Sequence, residues 1–387
     1  MNGSEQCNTL RRLERALSRA AAAPLDIVVN LKTKPDMHPK KEKRASELLR
    51  TLVRTSSRWA SLNIKGLSMH DFDFTCLEKD YGSLVSLVMT ETTRLIQAID
   101  RSAPNLTTLE ANRLQINNFA ALSWWPRLTT LSYVAHFRDD NPADRIRILE
   151  CITRCTQLHK LTLSMNGIRF TADEIALYIS RSLPNLRKLY FINVNCAMLF
   201  ECPNLTHLSY KINTPRVAIT TTVVLKHLVY CEVESTFVGD LLAPLVAPNL
   251  RCLRIKTKGL DRAFQRWWEE RSGKSVLTTL HLEEISLTTG MLKTTLETME
   301  GLKRLRLRDV QVVETAFKKL EIKPKGRKGS ILCPRLVTLD VDSTELARLG
   351  DLERILKEVA ESRRIAGVPL KSLTYRSLEG TLDLCQR

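Results

Sequence analysis

Three side chains with the chemistry of metal ligands, His207, His227 and Cys252, hold equivalent places in three consecutive leucine-spaced segments, "NLTHL", "LKHL" and "NLRCL". On neighbouring strands spaced about 4.8 Å apart, their nitrogen and sulfur atoms could converge toward the roughly 2.0–2.3 Å that one ion demands. No acidic or fourth ligand accompanies them, so the expectation is two solvated histidines and a half-buried thiol, with no metal and no cofactor. The ten cysteines are scattered, and the closest pairs, Cys151 with Cys155 and Cys196 with Cys202, lack zinc-ribbon spacing. A phosphate-cradling glycine loop, a Gly-x-Ser-x-Gly elbow and a His-Glu-x-x-His helix are all missing from the sequence. A protein without enzymatic chemistry is expected.

The second kind of chemistry is charge. Lys plus Arg number 59 against 42 Asp plus Glu, a net charge of +17, which favours acidic partners without choosing among nucleic acid, acidic protein and anionic lipid. Two clusters stand out: Lys32, Lys34, Lys40, Lys41, Lys43 and Arg44, then Lys323, Lys325, Arg327 and Lys328. Each lies in a Pro/Gly-containing loop and reads most simply as a solvated linker; an import signal or polyanion contact is the sharper alternative. No aromatic residues interleave with them, which weakens a single-strand RNA reading. A third basic run, "KRLRLRDV", alternates its arginines with Leu305 and Leu307, and its meaning depends on what the rest of the chain repeats.

The repeat is Leu-x-x-Leu-x-apolar. Thirteen copies begin at 59, 84, 106, 128, 158, 186, 205, 225, 250, 277, 302, 336 and 370, at intervals of 19 to 34 residues. Their mean of about 26 lies within the range of leucine-rich repeats. Alternate side chains of a strand point to opposite faces, so the leucines are buried and the intervening residues exposed. One unit cannot bury its leucines alone, and stacked units share a core. Segments 143–155, 171–183, 289–301 and 343–367 carry helical apolar spacing and read as the return elements. Trp267 and Trp268 read as anchors docking a further helix on the core. The predicted fold is a leucine-rich-repeat solenoid, a horseshoe with a curved parallel sheet on its concave face and helices or irregular segments outside.

Strand periodicity then assigns the exposed face. One column holds Lys160, Lys188, His207, His227, Cys252, Thr279, Arg304 and Thr338. The next holds Thr162, Tyr190, Ser209, Val229, Arg254, His281, Arg306 and Asp340, and the last Ser164, Ile192, Lys211, Cys231, Lys256, Glu283, Arg308 and Asp342. A one-residue slip would exchange the faces. In this register the surface is basic in the middle and acidic toward the end. Arg306 should lie beside Asp340, and Arg308 between Glu283 and Asp342. The predicted partner-binding residues are Lys188, Tyr190, His207, Lys211, Arg254, Lys256, His281, Arg304, Arg306, Arg308, Asp340 and Asp342.

The opening residues "LRRLERALSRAAAAPLDIVVNL" (10–31) and the later "LLRTLVRTSSRWASLNI" (48–64) resemble fungal F-box/leucine-rich-repeat proteins of the mushroom-forming lineage. The match rests on Leu13, Glu14, Leu17, Ser18, Arg19, Pro24, Leu25 and Ile27, then Ser57, Arg58, Trp59 and Leu62. In that family a short helix leads to a strand and an Arg-Trp segment starts the array. The resemblance implies the substrate-recognition part of an SCF ubiquitin-ligase adaptor, whose F-box docks a Skp-type adaptor. Nothing in residues 1–30 matches the F-box helix, so a Skp partner is expected only if an F-box lies upstream, and a paralogue without ligase coupling is an alternative. The expected organisation is an N-terminal helix-strand cap over 1–55 and an array over 56–387. The expected partner is a protein, acidic in character, with nucleic acid as the second choice. "MNGSEQCNTLRR" has no apolar leader region and no run reaches 18 apolar residues, so an intracellular chain, cytoplasmic or nuclear and away from membranes, is expected.

Overall fold

The computed structural model describes residues 3–30, 47–65, 80–90, 96–112, 122–136, 147–166, 183–193, 202–212, 222–258, 276–287, 292–312, 317–322, 333–342, 349–377 and 380–384, except 49, 97–98, 148–149, 237, 293–295, 298 and 319. Two compact units make up the chain, Met1–Leu186 and Arg187–Arg387.

The first unit opens with helix α1 (Gly3–Arg19) and continues through β1 (Leu25–Asn30), β2 (Trp59–Lys65), β3 (Ser86–Thr90), β4 (Thr108–Asn112), β5 (Thr130–His136) and β6 (Lys160–Asn166). These strands neighbour one another in chain order, all parallel. β1 precedes the thirteen units and still joins the ladder, setting Ile27 beside Leu62 and Val29 beside Ile64. Arg58 fastens this start: its guanidinium donates to the carbonyls of Ala23 and Ala20 at 3.0 and 3.1 Å. Next to it the buried Trp59 donates its indole N–H to Thr55 Oγ1 at 3.0 Å and packs on Tyr81, ring centroids 5.5 Å apart.

In the second unit the main sheet runs β7 (Lys188–Ile192), β8 (His207–Ile212), β10 (Tyr230–Ser235), β12 (Cys252–Lys256), β13 (Thr279–Glu283), β15 (Arg304–Arg308), β17 (Thr338–Asp342), β18 (Ser372–Ser377) and β19 (Gly380–Asp383). Pairing is parallel until β19, which folds back antiparallel on β18. Between these lie β9 (Val223–Val224), α2 (Val238–Leu242), β11 (Leu245–Val246), β14 (Ser286–Leu287), β16 (Gln311–Val312) and α3 (Leu349–Ile365). β9 pairs with β11, and β14 with β16, in two small sheets. The architecture is a leucine-rich-repeat solenoid.

One repeat shows why. Leu302 donates its N–H to the Met299 carbonyl at 3.0 Å, closing a turn, and Leu302, Leu305 and Leu307 are all buried. Each such side chain contributes about 1.5–3 kcal/mol by leaving water, and the same three places are buried in the neighbouring repeats through Leu277, Leu280 and Leu282, and Leu336, Leu339 and Val341. After several strands one residue swings into the left-handed region, Asn193 at φ 57°, Glu284 at 56° and Asp309 at 48°. There its N–H reaches the next strand, Asp309 to the Asp342 carbonyl at 2.7 Å. Asn193 and Asp309 are of the types that favour that conformation. Of the predicted return helices, 343–367 is seen as α3, burying Leu352, Ile355, Leu356 and Val359 at helical spacing. All of the predicted return segment 171–183 but its last residue, Trp267, Trp268 and both basic clusters lie outside the described residues.

One register differs from the sequence reading. β10 begins at Tyr230, which pairs with His207 on one side and Cys252 on the other. The repeat anchored at Leu225 is therefore anchored at Leu228, with Cys231 and Val233 as its buried members. Leu225 is engaged elsewhere: it is buried beside the small β9·β11 sheet and donates its N–H to the Val246 carbonyl at 2.9 Å, while the Leu228 N–H donates back to the Leu225 carbonyl at 3.2 Å. Two leucines three residues apart both satisfy the motif, and only the second enters the main ladder. Cys231 is thus core, its thiol pushed up to about 12 by burial, whereas Val229 is exposed. Replacing Cys231 with Asp should cost more than about 3 kcal/mol, as a charge forced into the core. The same change at Val229 should stay within about 0.5 kcal/mol. Urea unfolding of both variants checks the register, and the 225-anchored alignment demands the opposite order.

Candidate functional site

The corrected register rebuilds the open face of the second unit. Its middle column reads Tyr190, Ser209, Glu232, Arg254, His281, Arg306, Asp340 and Thr374 from β7 to β18. Its third column reads Ile192, Lys211, Glu234, Lys256, Glu283, Arg308, Asp342 and Arg376. From Lys211 onward the third column alternates in sign at every strand.

Opposite charges on adjacent strands meet. Glu234 accepts from Lys211 at 2.8 Å and faces Lys256 at 3.2 Å, and its carboxyl is held below the usual range, first by the Lys211 hydrogen bond. Glu232 takes Arg254 at 3.1 Å, the Ser209 hydroxyl at 3.1 Å and the Tyr230 hydroxyl at 3.3 Å. The centre is Glu283, 5% exposed, which receives Arg254 at 3.1 Å, Arg308 at 3.6 Å and Lys256 at 3.8 Å. Arg308 also approaches Asp342 at 3.9 Å, as its strand position foretold. Arg306 lies 3.3 Å from Asp340; this is a close charge contact rather than an aligned hydrogen bond, because the Arg306 Nε proton does not point at the carboxylate.

His281 sits between the two arginines, Arg254 on β12 and Arg306 on β15. Burial first, then those two guanidinium charges, lower its pKa to about 4, against smaller opposing effects of Glu283 and Asp340. The ring is therefore neutral near pH 7, with Nε2 buried and without a hydrogen-bond partner.

All twelve residues singled out from sequence fall on the open face, but their setting changes. The expected basic middle does not form, because Glu232 and Glu234 intercalate where Val229 and Cys231 were placed. His227 lies in the turn before β10, so His207, His227 and Cys252 do not share a column; Tyr230 stands between His207 and Cys252. Its ring stacks on His207, centroids 5.8 Å apart. His207 is kept deprotonated more readily than usual by burial and by Lys188. Sequence reasoning missed Glu232 and Glu234. Their alternation with Cys231 and Val233 is a strand signal that the more prominent Leu225 anchor obscured.

No protein-family model matches the chain, and no curated protein matches it. Among solved structures, an internalin (inlF) from Listeria monocytogenes aligns at TM-score 0.35 and 13% identity, over 76% of each chain. A Bacteroides fragilis protein aligns at TM-score 0.35 and 12% identity, over 64% of this chain and 79% of its own. The Toll–Spatzle complex of Drosophila aligns at TM-score 0.38 and 13% identity, over 84% of this chain and 45% of that one. Likeness at this level carries no functional inference, and the repeat architecture stands on its own strand ladder. No helix among the described residues is long and apolar enough to cross a membrane.

Glu283→Gln should destabilise the second unit by about 1–3 kcal/mol, because three cations lose the carboxylate they converge on; chemical denaturation measures it. His281 supplies a pH test. Its folded pKa lies below the ordinary 6.5, so the unfolded chain protonates first as pH falls. The associated stability is present above pH 6.5 and is lost between about 6.5 and 4. His281→Asn should flatten the fall in melting temperature across that window relative to wild type, and parallel curves would remove this residue from the acid response.

Proposed function

We propose that this chain is a non-enzymatic protein-interaction scaffold that captures a protein partner on the open face of its second unit. The observation that carries the reading is the alternating-charge ladder from Lys211 to Arg376. Each exposed pair contributes little to stability, about 0.2–1 kcal/mol, yet the pairs hold long side chains in a set pattern with a step of about 4.8 Å. A partner presenting the inverse pattern would be selected by complementarity, and a mismatched one rejected by like charge.

The finer reading is the substrate-recognition part of an F-box-type SCF adaptor, or a paralogue that has lost ligase coupling. It draws on the resemblance of 10–31 and 48–64, and the order of α1, β1 and the Arg58–Trp59 start agrees with what that resemblance implies. Residues 1–55 would then act as the cap ahead of the array over 56–387. A Skp-type adaptor would join only through an F-box encoded upstream. The net charge of +17 is the ground for the competing reading, a nucleic-acid-associated protein.

Affinity capture with the complete gene product, read by mass spectrometry, tests both levels. A partner retained by wild type and lost by Arg306→Glu, with the variant still folded, is the expected result. Equal retention by both would take β15 out of the site. Recovery of no Skp-type adaptor by the complete gene product would end the ligase reading.

A further inference from the structure

In the second unit, a set of cations without carboxylate partners among the described residues lines one edge of the paired face. Immediately before each strand one backbone position forms a continuous row. The Arg187 carbonyl accepts the N–H groups of both Thr206 and His207, at 2.9 and 3.0 Å, and the Val229 carbonyl accepts those of Arg251 and Cys252 at 2.9 and 3.0 Å. The same fork repeats from Arg251 to Thr278 and Thr279, from Thr278 to Lys303 and Arg304, and from Val337 to Lys371 and Ser372. Stacked strands therefore bring Arg187, Arg251, Lys303 and Lys371 into one line.

All four side chains are exposed, and none has an ion-pair partner among the described residues. The places between them are uncharged, Thr206, Val229, Thr278 and Val337. At about 4.8 Å per strand, the four cations stand roughly 14, 10 and 10 Å apart. Lys188 and Arg304, one residue further along their strands, and Lys226 and Arg335, in the preceding turns, thicken the same edge; all are exposed. Glu300 is the one acid among the described residues of these turns. The equivalent row of the first unit, Ala60, Val85, Thr107, Thr129 and His159, joined by the same hydrogen bonds, carries no Lys or Arg. The charge is thus a property of the second unit and not of the repeat.

We infer that this edge docks an extended acidic segment of a protein partner, a site distinct from the paired face and resting on the reading of the chain as a protein-binding scaffold. A polyproline-II segment makes one turn in three residues and rises about 9.3 Å in that turn, so carboxylates at every third position share one side and match the closer cations. The basic strip is only about two residues wide along the strands. Beyond it the middle column is charge-balanced, Glu232 against Arg254 and Asp340 against Arg306, and so offers a broad polyanion such as a nucleic-acid duplex no further unpaired cation there. The one aromatic ring of the strip, Tyr230, is already stacked on His207 and offers no free base-stacking platform.

Fluorescence anisotropy with a labelled oligoglutamate peptide tests the inference at low and physiological salt, with oligothymidylate and phosphatidylserine vesicles as parallel probes. The variant combining Arg187→Ser, Arg251→Ser, Lys303→Ser and Lys371→Ser should keep the wild-type melting temperature and lose at least tenfold in oligoglutamate affinity. Exchanging Lys and Arg at the same four places should retain binding, as should Arg306→Ala on the paired face. Absence of oligoglutamate binding by wild type at low salt, or equal binding by the serine variant, overturns the inference. So does tighter, edge-dependent binding of oligothymidylate or vesicles, which would reassign the edge to another class of partner. Failure of the scaffold reading is seen separately, as partner capture indifferent to Arg306→Glu.

Discussion

No single repeat of this chain can bury its own leucines, and nearly everything else in the structure follows from that. A strand of five to seven residues offers two or three apolar side chains on one face and needs neighbours on both edges for its backbone N–H and carbonyl groups. Stacking answers both needs together. It also forces residues from successive repeats into rows one strand apart, whatever their chemistry. Rows of buried leucine, of exposed charge and of edge cation are three consequences of one constraint.

The charged rows show what selection can do with enforced proximity. On the open face of the second unit, acids and bases alternate, so neighbours attract along the row where like charges would repel. Glu283 takes this furthest, because its carboxylate is buried and is balanced by three cations from the two adjoining strands. A buried carboxylate with a single partner would cost more in lost hydration than it regains. His281, pressed between Arg254 and Arg306, meets the same crowding by staying neutral. The edge row follows the other course, with its cations spaced two or three strands apart and left to solvent. Positive charge on that edge is thus spread thinly enough to need no internal counter-charge, and it remains available to an external one.

The leucine period, its count and the parallel stacking it implies could be read before any coordinates, and so could the neighbours Arg306–Asp340 and Arg308–Glu283, because strand periodicity of two leaves each residue only one face. α3 was legible for the same kind of reason, since Leu352, Ile355, Leu356 and Val359 recur at helical spacing. β1 was legible only through resemblance: "LDIVVN" lacks the leucine motif, and its place in the sheet depends on pairing with β2.

What needed the tertiary structure was the choice between equivalent local solutions. Leu225 and Leu228 both fit the motif, and local sequence cannot weigh them, because Leu225 is held by β11, more than twenty residues away. That choice moved Cys231 into the core, brought Glu232 and Glu234 onto the face, and turned an apparent basic patch into a ladder of alternating sign. The edge row likewise needed the forked hydrogen bonds to align positions whose sequence separations are unequal. The amino-acid sequence determined which residues must be buried and how often. Which exposed residues become neighbours was decided by register, a property of pairs of strands that no one strand contains.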